Sequence, residues 1–117
     1  YELSNSIKNS GAVVMGASAG AINMSAKWFC SKNLGFKIEE SSVYNGIGLD
    51  DFSILSHYDL ENNMALVQSE LSPLSEEINI YISNKDCAIR ARGNKIDIIG
   101  NVYLISHSNI QKLDETL

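Results

Sequence analysis

Apolar positions along this chain of 117 residues fall into short runs, each with its own rhythm. Ala12–Met15 is apolar at every position, the pattern of a strand buried on both faces of a parallel sheet. Before it, Tyr1–Asn9 places Leu3 and Ile7 on one face and reads as the end of a helix stopped at Gly11. After it, Ile22, Ala26 and Phe29 recur at i, i+4 and i+7, which predicts a helix over 19–29 with one stripe for the sheet. Residues 30–50 are polar and glycine-rich and read as loop with one or two short strands. Phe52–Ser56 is a short strand. Asp59 then caps a predicted helix in which Leu60, Met64, Val67 and Leu71 share a face, ending before Pro73. Four segments rich in β-branched and aromatic residues follow, INIYIS, DCAIRA, KIDIIG and VYLIS, with the Gly-Asn turn of Arg92–Lys95 making a hairpin of the middle two. From about Ser108 the chain turns polar, and a helical stretch is expected there.

Between the first strand and the first full helix the chain reads Gly16-Ala17-Ser18-Ala19-Gly20. Small residues crowd a strand that reverses sharply into a helix, because a large side chain there collides with the backbone. The five match G-x-S-x-G, the nucleophile elbow. Such a turn holds the Ser18 hydroxyl clear of its own backbone and leaves the amide of Ala19 free to receive an oxyanion. Small residues also serve close strand–helix packing or a phosphate at the helix start, so the motif needs a base to complete it. A serine hydroxyl is a weak nucleophile until a base takes its proton. Of the two histidines, His107 sits in a polar SHSN with no strand end to aim it and reads as a surface residue. His57 stands at the end of an apolar strand, where open α/β sheets gather functional groups.

Composition narrows the field. Nine basic against 14 acidic residues give a net charge of −5, and the basic residues are scattered. This excludes the clustered cationic footprint of a nucleic-acid binder. Cys30 and Cys87 lie outside any CxxC spacing, which suits a reducing compartment, so a cytoplasmic location is expected. No apolar run approaches the ~20 residues of a membrane helix. Two distant histidines and two distant cysteines lack metal-ligand spacing, and no cofactor motif is present.

The run GASAGAINM, followed some 40 residues on by GLDDFSILSHYD, resembles the peptidase E family of serine peptidases, which includes aspartyl dipeptidases. The resemblance implies an α/β fold: a class I glutamine amidotransferase-like sandwich with a mainly parallel sheet. Only its C-terminal portion would be present, ending in a β-rich segment with a hairpin. Residues 1–117 then form the C-terminal part of a single domain whose N-terminal half is absent, and that half, or another chain, would complete the sheet. It implies Ser18 as nucleophile, His57 as general base and the Ala19 amide as oxyanion donor. Amidotransferases of this fold carry cysteine at the elbow, so serine favours peptide hydrolysis. The implied substrate is a short peptide, with an N-terminal aspartate in the aspartyl dipeptidases. The segment alone is expected to be inactive.

One departure concerns the residue that orients the imidazole. The family places an acid between serine and histidine; here the matching stretch, around Ser31–Gly35, offers only Asn33, and Glu39 and Glu40 follow a few residues later. All three stay open. Asparagine fixes a tautomer without stabilising the imidazolium by charge. Arg90 and Arg92, the only arginines, are candidates for an acidic substrate side chain or simply an exposed strand edge. The alternative to a peptidase is a non-catalytic small-ligand-binding or degenerate module of the same fold.

Overall fold

The computed structural model describes residues 2–17, 19–30, 42–56, 58–83, 87–92 and 95–113. The chain divides into two compact units, Tyr1–Ile54 and Leu55–Leu117.

The first unit opens with helix α1 (Glu2–Asn9), which ends as expected at Gly11. That residue has φ +74°, a left-handed conformation that glycine adopts without a Cβ penalty. Helix α2 (Ala19–Met24) follows, then strands β1 (Lys27–Cys30) and β2 (Ser42–Asn45), paired antiparallel. Trp28 stands opposite Tyr44, and their rings stack with centroids 4.4 Å apart. Phe52 is the one buried large apolar residue of this unit among the described residues.

Two expectations are corrected here. Ala12–Met15 forms no strand: 12–17 is irregular, with Val13 89% and Met15 90% exposed. A strand needs neighbouring backbone to satisfy its N–H and C=O groups, and no described segment pairs with this one. Helix α2 also stops at Met24, five residues short of the predicted end, because Trp28 and Phe29, both favourable strand formers, find partners in β2. A loop closes the helix end: the N–H groups of Leu49, Gly48 and Gly46 donate to the carbonyls of Met24 (2.8 Å), Ser25 (3.2 Å) and Ala26 (3.1 Å). These carbonyls would otherwise be orphans of the helix terminus.

The division between the units falls within strand β3 (Ser53–Ser56). A sheet is ordered β3, β4 (Ile80–Ser83), β7 (Val102–Ser106), β8 (Asn109–Leu113). Every residue of β4 is buried, as befits an inner strand written Ile-Tyr-Ile-Ser. The second unit has a true core, in which Val67, Leu71, Ile80, Ile82, Val102 and Ile105 expose nothing. Strands β5 (Cys87–Arg92) and β6 (Lys95–Gly100) pair in the predicted hairpin, closing with Arg92 opposite Lys95. The β1–β2, β4–β7, β5–β6 and β7–β8 ladders are all antiparallel; the parallel sheet that the resemblance implies is not among them.

The helical region between β3 and β4 starts later and runs further than predicted. It consists of α3 (Met64–Leu66), a π-helical turn (Val67–Leu71) and α4 (Ser72–Ser75). Pro73 sits in the first turn of α4, where its missing N–H costs little, directly after the wide turn. The tail is strand β8 instead of a helix. His107 and Ser108 both take positive φ (48° and 64°), the twisted two-residue turn that hairpins favour. Neither is a usual residue for it. The turn is held from outside: His107 N–H donates to the Ser75 carbonyl (3.0 Å), Ser108 N–H to Ser75 Oγ (2.8 Å), and Ser108 Oγ to Glu76 Oε1 (2.7 Å).

Candidate active site

Ser18 and His57 lie outside the described residues, as do Asn33, Glu39 and Glu40; the backbone on either side of the first two is described. At the elbow, Gly20 N–H donates to the Ala17 carbonyl (2.9 Å), which draws the chain together as helix α2 begins. Ala19 is the first residue of α2. The helix of the motif is therefore present, and the strand before it is not.

The two glycines of the motif differ in kind. A Cβ on Gly16 would lie 2.4 Å from Met24 Sδ and 2.8 Å from both Ala21 N and Gly20 C. The sulfur can swing away; the helix backbone cannot. Gly16→Ala is expected to destabilise the first unit by about 2 kcal/mol, the scale of forced overpacking. Gly20 has no described atom within 4 Å of its would-be Cβ, so Gly20→Ala, inside a helix, should be neutral or stabilising by up to about 1 kcal/mol. Thermal melts of the two variants check the contrast.

At the other motif, β3 ends at Ser56, and Tyr58 N–H donates to the Ser83 carbonyl (3.1 Å) at the end of β4. Tyr58 is itself buried, and burial, with Glu70 nearby, raises its phenol above the ordinary value. Asp59 accepts from Asn62 N–H (3.2 Å), so it caps a turn before the helix instead of the helix itself. The chain is thus anchored immediately before and after position 57.

Sequence reasoning missed Asp50. Its Oδ1 accepts from Phe52 N–H (3.2 Å), an Asx turn leading into β3, while the Ala26 N–H donates to the Phe52 carbonyl (3.3 Å). Burial is the largest influence and pushes the group up from 3.8 to about 6, against the lowering influence of the Phe52 and Ala26 amides; Asp51 adds repulsion and Lys8 a small attraction. The folded chain therefore binds this proton more tightly than the unfolded one, so stability falls as pH rises from 3.8 to about 6 and the penalty is complete above that. The whole shift would correspond to about 3 kcal/mol; solvent on the open side of the carboxylate screens this to about 1 kcal/mol. Asp50→Asn keeps an acceptor for Phe52 and removes the charge. It should raise the melting temperature above neutral pH and flatten its pH dependence in the acid range.

Arg90 is engaged within its own hairpin, where Nε (3.0 Å) and Nη2 (2.7 Å) both donate to Asp97 Oδ2. Arg92 lies 4.0 Å and Lys95 3.8 Å from the same carboxylate. The Arg90 hydrogen bond is the main reason that Asp97 stays below the ordinary carboxylate range. His107 is exposed beside Glu76, at 3.5 Å, in keeping with a surface role. No helix among the described residues is long and apolar enough to cross a membrane.

No curated protein and no solved structure matches the chain. The profile of peptidase family S51 does, over residues 2–99, a span that takes in the elbow at 16–20, the strand-end motif at 48–59 and the strands as far as β6. With most of its length matched and both motifs in order, the chain belongs to peptidase family S51, the peptidase E family.

Proposed function

We propose that the intact protein is a serine peptidase of the dipeptidase kind, with Ser18 as nucleophile and His57 as general base. The observation that carries this is the family match across both motifs, joined to the hydrogen bond from Gly20 N–H to the Ala17 carbonyl as helix α2 opens at Ala19. Ser18 Oγ attacks the peptide carbonyl while His57 takes its proton. The oxyanion that forms is received by the Ala19 amide, a donor of a kind worth about 3 kcal/mol in the transition state. His57 then protonates the leaving amine, and water clears the acyl-enzyme by the reverse sequence. Asn33, Glu39 or Glu40 orients the imidazole.

The substrate class is a short peptide, with an N-terminal aspartate as the first to test. Since Arg90 is held by Asp97, recognition of that side chain falls to other donors. The exposed apolar segment 12–15 supports a second element of the reading: another segment or another chain supplies the backbone partners that turn it into a strand. A fluorophosphonate probe, with the labelled peptide identified by mass spectrometry, tests the assignment on the intact protein. Label on Ser18 is the expected result. A folded protein that binds small acidic ligands, takes no label and cleaves no dipeptide is instead a binding module.

A further inference from the structure

We propose that the β5–β6 hairpin is a docking surface for an acidic, extended peptide, which adds as a strand along the open edge of β5 with its carboxylates over Arg92 and Lys95. Register brings the cations together. Arg90 stands opposite Asp97 and Arg92 opposite Lys95 in the ladder, and because side chains alternate along a strand, all four lie on one face of the hairpin. Three positive groups there share one carboxylate. Asp97, whose side chain is 4% exposed, is taken up by Arg90, whose Nε and Nη2 both donate to Oδ2 (3.0 and 2.7 Å). Arg92 Nη2 at 4.0 Å and Lys95 Nζ at 3.8 Å are too far away to hydrogen-bond it, and both side chains are exposed. An arginine carries five N–H donors in a fork that fits a carboxylate, and among the described residues no acceptor meets those of Arg92.

Two further observations select the partner. Like charges directly opposite each other weaken a ladder, so the Arg92–Lys95 pair is a local conflict that Asp97 relieves only from a distance. An anion between the two removes it. The second observation is the backbone: β5 pairs with β6 alone among the described residues, and in an antiparallel pair every second residue turns its N–H and C=O outward. β5 is also exposed at every position but Ile89 and contains no proline. Such an edge accepts another strand. Edge cations guard a sheet against strands of their own charge, whereas toward an acidic strand the same groups attract. A strand with acidic residues at alternate positions presents them on the face of Arg90 and Arg92 while its backbone extends the ladder. This surface is independent of the Ser18–His57 reading.

The test is a titration of the full chain, followed by backbone amide NMR, with the blocked peptide Thr-Asp-Val-Asp-Val-Thr; its asparagine counterpart and inorganic phosphate are the controls. The acidic peptide should shift the β5 amides and slow their exchange about tenfold or more, while β8, the outer strand of the four-stranded sheet, stays as it was. Arg92→Gln should weaken binding about tenfold, the scale of a hydrogen bond to a charged group, and Lys95→Gln should weaken it in the same direction. Both side chains are exposed, and unchanged β4 and β7 amides verify that the variants fold. Equal binding of the asparagine peptide overturns the acidic partner. Phosphate that displaces the peptide at equal concentration overturns strand addition and leaves an anion site only. Shifts confined to β8, or unweakened binding to folded Arg92→Gln, overturn the site. β5 amides that are already protected without peptide, or that shift with protein concentration, overturn the open edge, which the chain itself or a second copy then covers.

Discussion

Ser18→Ala in the intact protein is expected to lower dipeptide turnover by about 10⁴- to 10⁶-fold, and His57→Ala by a similar factor. The two losses should not add. A serine without its base is barely nucleophilic, and a base without its serine has no proton to take, so removing either removes the same step. The double variant should therefore be no slower than the worse single one. Residual turnover above the uncatalysed rate would come from substrate binding and the backbone donor at Ala19, which neither substitution touches. Retention of more than about a tenth of the activity in Ser18→Ala would remove the nucleophile from position 18. The substitution is also structurally mild: the turn is closed by the Gly20 N–H and the Ala17 carbonyl, and both are main-chain groups.

That turn was legible because its chemistry is local. Small residues adjacent in sequence let the backbone turn closely, and the hydrogen bond spans only 17 to 20. Asp50 was not. Beside Asp51 in a polar, glycine-rich stretch, it reads as one more solvated loop charge. Its raised pKa comes from burial, with the Ala26 amide, 24 positions earlier, among its neighbours, and no periodicity encodes such a meeting. An Asp two residues before a strand is nevertheless Asx-turn chemistry, and that signal is present at Asp50-Asp51-Phe52.

The fold divides along the same line. The stop at Gly11, the strand at 53–56 and the hairpin of β5 and β6 follow from residues adjacent in sequence, and the structure contains all three. Ala12–Met15 fails for a non-local reason: its pattern promises a strand, but a strand is a relation between segments, and Val13 and Met15 stand bare without one. Strand β8 fails conversely. Asn109–Leu113 carries little β-branched content, yet it pairs along β7 because Ser75 and Glu76 hold His107 and Ser108 in a turn that their own preferences would not select. The helix predicted to end before Pro73 runs on through it, since a π turn realigns the backbone ahead of the proline.

Ile105→Ala is expected to cost about 3 kcal/mol, a large share of the roughly 5–15 kcal/mol that holds a domain of this size together. Ile80, Ile105 and Ile110 form one row across β4, β7 and β8, each directly opposite the next. The first two expose nothing, whereas Ile110 is 37% exposed on the outer strand. Truncating Ile105 removes buried carbons from a site enclosed by other filled positions, so a cavity adds to the lost transfer energy. The same truncation at Ile110 opens onto solvent and should cost about 1 kcal/mol or less. Ile80→Ala should resemble Ile105→Ala, and the double variant should lose less than the sum, because the two cavities merge. With two compact units in the chain, the readout is amide protection of β4 and β7 in urea instead of a single global melt. Equal losses at positions 105 and 110 would mean that β8 is as enclosed as β7, which would leave the row without a solvent end and the outer strand covered.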